Sequence, residues 1–156
     1  MKASTIQEIK QELLLLSTPK LTDLCLRLAR FKKENKELLA YLLFEADDEQ
    51  GYIDGVKKQV DEQFSEITNT NLYFIKKSLR KILRVTNKYI RYTGSKQAEV
   101  ELLLYFCIKV KESGIPFGKS PALVNLYYGQ VKKIRKTLES LHEDLQYDYL
   151  REVDKL

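Results

Sequence analysis

Turn-forming residues are scarce in this chain: six glycines and three prolines in 156 residues. An all-β fold needs a turn about every 8 to 12 residues, so this scarcity points to helices. Nor is there a Pro- or Gly-rich linker to divide the chain. Cysteine occurs twice, at Cys25 and Cys107, each inside an apolar run. With no CxxC and no Cys/His pair at metal-ligand spacing, zinc and disulfide-scaffold readings fail. Both thiols are expected to be buried and reduced, acting as small hydrophobes. The single histidine, His142, stands beside Glu143 and reads as an exposed helix residue.

Long apolar runs are also missing. Leu13 to Leu16 is only four residues long and follows Glu8, Lys10 and Glu12. The stretch LLLYFCIKV (102–110) already contains Lys109. A membrane span needs about 20 apolar residues and a signal peptide a longer uncharged core. The expectation is a cytoplasmic protein with no membrane partner.

What is present is 44% hydrophobic and 31% charged residues, a globular balance. The length fits a single helical domain over 1–156. Helical periodicity runs almost from end to end. Ile6, Ile9, Leu13 and Leu16 form a first stripe, then Thr18 reads as an N-cap before Pro19. Leu21, Leu24, Cys25 and Leu28 follow, and Leu38, Leu39, Leu42 and Leu43 after them. Between these two stripes Asn35 reads as the cap of a new helix, against the competing reading of one helix from 20 to 46. The acidic cluster EADDEQG (45–51) precedes an amphipathic segment over 52–67. Thr68 to Asn71 offer caps for a helix that should stop near Gly94, suited to a left-handed C-cap. A sixth helix covers 98–113. Ser120 and Pro121 open a last one that extends toward the C-terminal tail, with Val131, Ile134, Leu138, Leu141 and Leu145 stepping 3-4-3-4. The result is an all-α fold of about seven antiparallel helices, either an α–α superhelix or an irregular helical bundle.

At LSTPKLTDLCLRLARFKKENKELLAYLLFEA (16–46) two short leucine-rich helices are joined by a polar turn. This stretch resembles a helix pair of the HEAT or armadillo kind. The resemblance is one of architecture, and it implies an α–α superhelix that works as a binding surface.

The charge pattern is sharper than the repeat pattern. From Ile67 to Ala98 there are eight basic residues and no acid, whereas 45–66 carries a net −6 and the segment from Glu139 a net −4. The whole protein is only +5. On a helical wheel Lys77, Lys81, Arg84, Lys88 and Arg91 fall in one narrow stripe, with Arg80 beside them and Tyr73 on the same line. The opposite half is apolar, wide enough to lie between two neighbouring helices. Three readings of the stripe stay open: a solvated face partly compensated by the acidic segment, a surface for a protein partner or a second copy of the chain, and a track for nucleic-acid phosphates.

Chemical motifs come close and fail. SGIPFGKS (113–120) has Ser113 where a phosphate-cradling P-loop needs glycine, and no strand precedes it. DDEQGYID (47–54) has no register that satisfies a calcium loop. No nucleophile elbow or cofactor fingerprint is visible, so neither a cofactor, a metal, a small-molecule substrate nor catalysis is expected. Tyr127, Tyr128, Tyr147 and Tyr149 read as half-buried side chains whose hydroxyls reach the surface, with an exposed aromatic patch as the competing reading. The sequence thus points to a non-enzymatic helical interaction protein. The alternative is a binder of nucleic-acid backbone through the 77–91 stripe.

Overall fold

Short polar side chains set the helix boundaries. In the computed structural model, which describes residues 4–156, eight α-helices and one 3-10 turn account for the regular structure, with no strand among the described residues. The helices are α1 (Ile6–Leu14), α2 (Thr18–Phe31), α3 (Lys33–Phe44), α4 (Glu49–Ser65), α5 (Leu72–Thr93), α6 (Lys96–Glu112), α7 (Pro121–Leu138) and α8 (Glu143–Val153). Thr5 and Glu8 form a reciprocal capping box on α1, the Thr5 backbone N–H donating to Glu8 Oε2 at 2.7 Å. Asp48 accepts from the Gly51 N–H, Asn71 from that of Tyr73, Ser95 from that of Ala98 and Ser120 from that of Leu123. Each cap satisfies one backbone donor that the helix itself cannot and contributes about 1 kcal/mol. Gly94 (φ 62°) ends α5 in the left-handed conformation, as its position predicts.

Four boundaries differ from the sequence expectation. Ser17, not Thr18, is the N-cap of α2, which places Pro19 one residue further inside the first turn. Asn35 does not cap α3. One extended residue, Lys32 (φ −141°, ψ 145°), separates α2 from α3, and the Asn35 amide instead donates to the Leu28 carbonyl at 2.9 Å. It serves the unsatisfied end of the preceding helix. α4 starts at Glu49, earlier than expected, because Asp48 supplies its cap. Finally, the last helix is two. α7 ends at Leu138, and α8 begins after His142, whose Nδ1 accepts from the Asp144 N–H at 3.3 Å. The apolar spacing ran through this break because Leu138 and Leu141 both pack on one core.

Two compact units divide the chain, Met1–Phe44 and Glu45–Leu156. In the second unit α6 is the central element, with α4, α5, α7 and α8 packed against it. Nine of its 17 residues are buried and they lie all round the helix, the pattern of a helix enclosed by others. Phe106 meets Phe64 of α4 with ring centroids 5.8 Å apart. Tyr127 of α7 is fully buried, stacked on Phe117 at 4.7 Å, and its hydroxyl donates to the Leu156 carbonyl at 3.4 Å. Tyr149 is half-buried as expected, but Tyr127 is more enclosed than expected, and Tyr128 and Tyr147 are more exposed.

In the first unit α2 packs against α3. Among the described residues of this unit only Tyr41 is buried. Cys25 is exposed, which corrects the expectation of two buried thiols. Its leucine-rich surroundings form a stripe along α2 that is only partly covered.

Candidate interaction surfaces

The basic stripe lies on α5. Its apolar half is held between α4 and α6, through buried Ile75, Leu79, Ile82 and Ile90. Thr86 is also buried, its hydroxyl satisfied by the Ile82 carbonyl at 2.9 Å. This packing turns the cationic half outward. Lys77, Arg80, Lys81, Arg84 and Arg91 are exposed, and Lys88 is half-buried with its ammonium 4.9 Å from the centre of the Tyr89 ring. From Lys77 to Arg91 the stripe runs about 21 Å at 1.5 Å per residue. Tyr73 is exposed at its start, edge-on to the exposed Phe74 ring, with the Lys77 ammonium 4.9 Å from its own ring centre.

The acids of α4 do not neutralise this face. Asp54 pairs with Lys57 on its own helix, and Asp61 with Lys109 of α6 at 2.9 Å. Glu49 accepts from Ser95 Oγ at 2.8 Å. Among the described residues, no ion pair joins a carboxylate to Lys77, Arg80, Lys81, Arg84 or Arg91.

At the C-terminal end of α5 the cations continue onto two other helices. Asn87, Arg91, Lys96 of α6, Glu99 of α6 and Lys133 of α7 line a groove of about 510 Å³. Lys133 Nζ lies 3.2 Å from Asn87 Oδ1 and 2.9 Å from Glu99 Oε1, while Lys96 Nζ lies 3.3 Å from Glu99 Oε2. Burial works against ionisation of Glu99, but the two lysines outweigh it and hold its carboxyl below the usual carboxylate value. Two lysines therefore share one carboxylate, and Arg91 adds a third cation to the lining of the same groove. Arg91 belongs to the stripe read from the sequence, and Lys133 does not. Nothing in the linear order brought Lys133 to Glu99.

A second titratable cluster joins α4 to α6. The Tyr105 hydroxyl donates to both carboxylate oxygens of Asp61 at 2.8 Å. Burial first, and then the Asp61 carboxylate, push Tyr105 up to about 12. Burial opposes ionisation of Asp61, yet hydrogen bonds from Lys109 and Tyr105 hold its carboxyl below the usual value. Both groups are moved away from neutrality, so at pH 7 their charges are fixed. Acid–base chemistry near neutrality needs the opposite displacement. Cys107 is likewise driven up to about 12 by burial, which leaves no thiolate at neutral pH. Among the described residues no group of three or more His, Cys, Asp or Glu is placed to hold a metal ion, and no helix is long and apolar enough to cross a membrane. SGIPFGKS forms a loop between α6 and α7, with Gly114 in the left-handed conformation and a 3-10 turn at Phe117–Lys119, and is preceded by a helix.

The first unit presents an apolar surface of a size the sequence did not announce. Of the 18 large hydrophobics exposed among the described residues, 13 lie between Ile6 and Phe44. Phe31 is 77% exposed and Phe44 82%. One groove, of about 260 Å³, is lined by Cys25, Leu28, Leu38 and Leu42 among others. A second, of about 610 Å³, has an apolar floor that includes Leu26, Leu43 and Phe44, with Arg30, Lys32, Lys33 and Lys36 also among its lining. Single exposed leucines are ordinary, whereas a concentration of this kind is not.

No protein-family model, curated protein or solved structure matches this chain.

Proposed function

We propose that this protein is a non-catalytic interaction protein that binds a partner protein through the apolar surface of its N-terminal unit. The observation that carries this reading is the concentration of 13 exposed large hydrophobics within residues 6–44, against one buried side chain in the described part of that unit. Apolar area is worth about 25 cal/mol per Å² when it is removed from water, so these side chains hold a large unused contribution to binding. The four cations of the larger groove add a preference for an amphipathic helix whose polar face is acidic. Its apolar residues would fill the floor, in the manner of helix-in-groove recognition.

The test uses a photo-crosslinking amino acid in place of Leu42, followed by purification of the captured protein and titration against the intact chain. Expected is a saturable complex that Leu28→Asp/Leu42→Asp weakens by about tenfold or more. Both positions are exposed, so the variant's circular dichroism should be unchanged. If no captured protein forms a saturable complex, or if the variant binds as well as the wild type, the reading fails.

A further inference from the structure

We propose that the outer face of α5, continued by Lys96 and Lys133, is a docking track for the backbone of a single-stranded nucleic acid. This surface and its ligand are separate from the partner-protein reading and do not depend on it. Three observations carry it. First, Lys77, Arg80, Lys81, Arg84 and Arg91 are exposed and, among the described residues, none is in an ion pair with a carboxylate. Cations with internal carboxylate partners would already be neutralised; for these five, the nearest acidic helix directs its ion pairs to itself and to α6 instead. Second, the track does not end with α5. Arg91, Lys96 and Lys133 come from three helices and line one groove, where Glu99 is shared by two lysines and leaves the balance positive. Third, exposed Tyr73 and Phe74 stand at the other end, where unpaired bases have faces to stack.

The chemistry separates this ligand from other polyanions. An anionic membrane could hold this face by charge alone, without the added gain of insertion, because the apolar half of α5 is held in the core by α4 and α6. A protein partner draws most of its affinity from a buried apolar or aromatic centre, and rim charges add little. Along 77–91 the outward side chains are mostly cations. A phosphate backbone gains from each of them, because every neutralised phosphate releases condensed counterions.

The experiment is fluorescence anisotropy with a labelled uridine oligonucleotide of about 20 nucleotides, titrated with the full chain at several salt concentrations between about 50 and 200 mM. Vesicles containing phosphatidylserine serve as the competing polyanion. Expected is saturable binding whose affinity falls linearly on a log–log plot, with a slope magnitude of about 3 to 4 for four or five phosphates on a single strand. Lys81→Glu/Arg84→Glu should lower affinity at least about tenfold, and Lys81→Gln/Arg84→Gln should reduce the slope by about 1.4. Lys20→Glu/Arg27→Glu, an equal charge change in the other unit, should leave the slope unchanged. Absence of binding at the lowest salt, equal binding by the α5 variants, or binding to vesicles without binding to the oligonucleotide would each overturn the proposal. The glutamine variant retains α5's helix-forming character, so a folded protein remains for the comparison.

Discussion

Cys25 and Cys107 carry the same side chain into opposite surroundings. Cys107 is fully buried on α6 and its thiol is pushed up to about 12, while Cys25 is exposed on α2 at the edge of an apolar groove. One thiol per chain should therefore react with Ellman's reagent in the native protein and the second only after denaturation; two fast-reacting thiols would contradict this placement of α6. In the sequence the two residues look alike, each inside an apolar run. Periodicity reports which residues share a helix face. It does not report whether anything covers that face, and so the caps at Asn71, Gly94 and Ser120 were legible while the exposure of Leu28, Cys25 and Leu42 was not. His142 was correctly read as exposed, but its role as the cap of α8 depends on a chain reversal that the unbroken spacing of Leu138, Leu141 and Leu145 concealed.

At the scale of the element, α5 was the most readable part of the molecule. A single helix with a wide apolar half and one cationic stripe follows from its composition, and the structure places it between α4 and α6. Compensation by the acidic segment was one of three readings left open; the α4 acids that pair meet partners on α4 itself and on α6. The groove at its end was also hidden, since Lys133 and Asn87 are 46 positions apart. The α6–α7 contact through Glu99 has a definite pH signature. Its folded-state carboxyl value is lowered below 4.5, so its stabilising contribution is complete above that value and is lost as pH falls through the lower, folded-state value. Glu99→Gln should cost about 1 to 3 kcal/mol at pH 7, and the difference from wild type should shrink below about pH 4. Urea denaturation at several pH values checks this; a constant difference across the acid range would mean that the ion pairs do not carry the effect.

For the whole molecule, the hydrophobic core cluster belongs entirely to residues 53–156, whereas the described part of the first unit buries one side chain. Residues 45–156 expressed alone should therefore unfold cooperatively in urea with near-native circular dichroism. Residues 1–44 alone should give no cooperative transition, because isolated helices of 9 to 14 residues are marginal in water. A fragment 45–156 that fails to fold would show that the core needs the first unit. Fold class was legible here because helix formation announces itself locally in turn scarcity and spacing. The division into two units depends on how much of each stripe is covered, and spacing does not encode that. The arrangement of charge within Glu45–Leu156 has an electrical consequence. This unit sums to only +2, yet it includes a helix of +7 and an acidic segment, 45–66, of −6. Its cations gather on one outward helix face, so on a cation exchanger it should be held by its α5 face as though it were a far more basic protein.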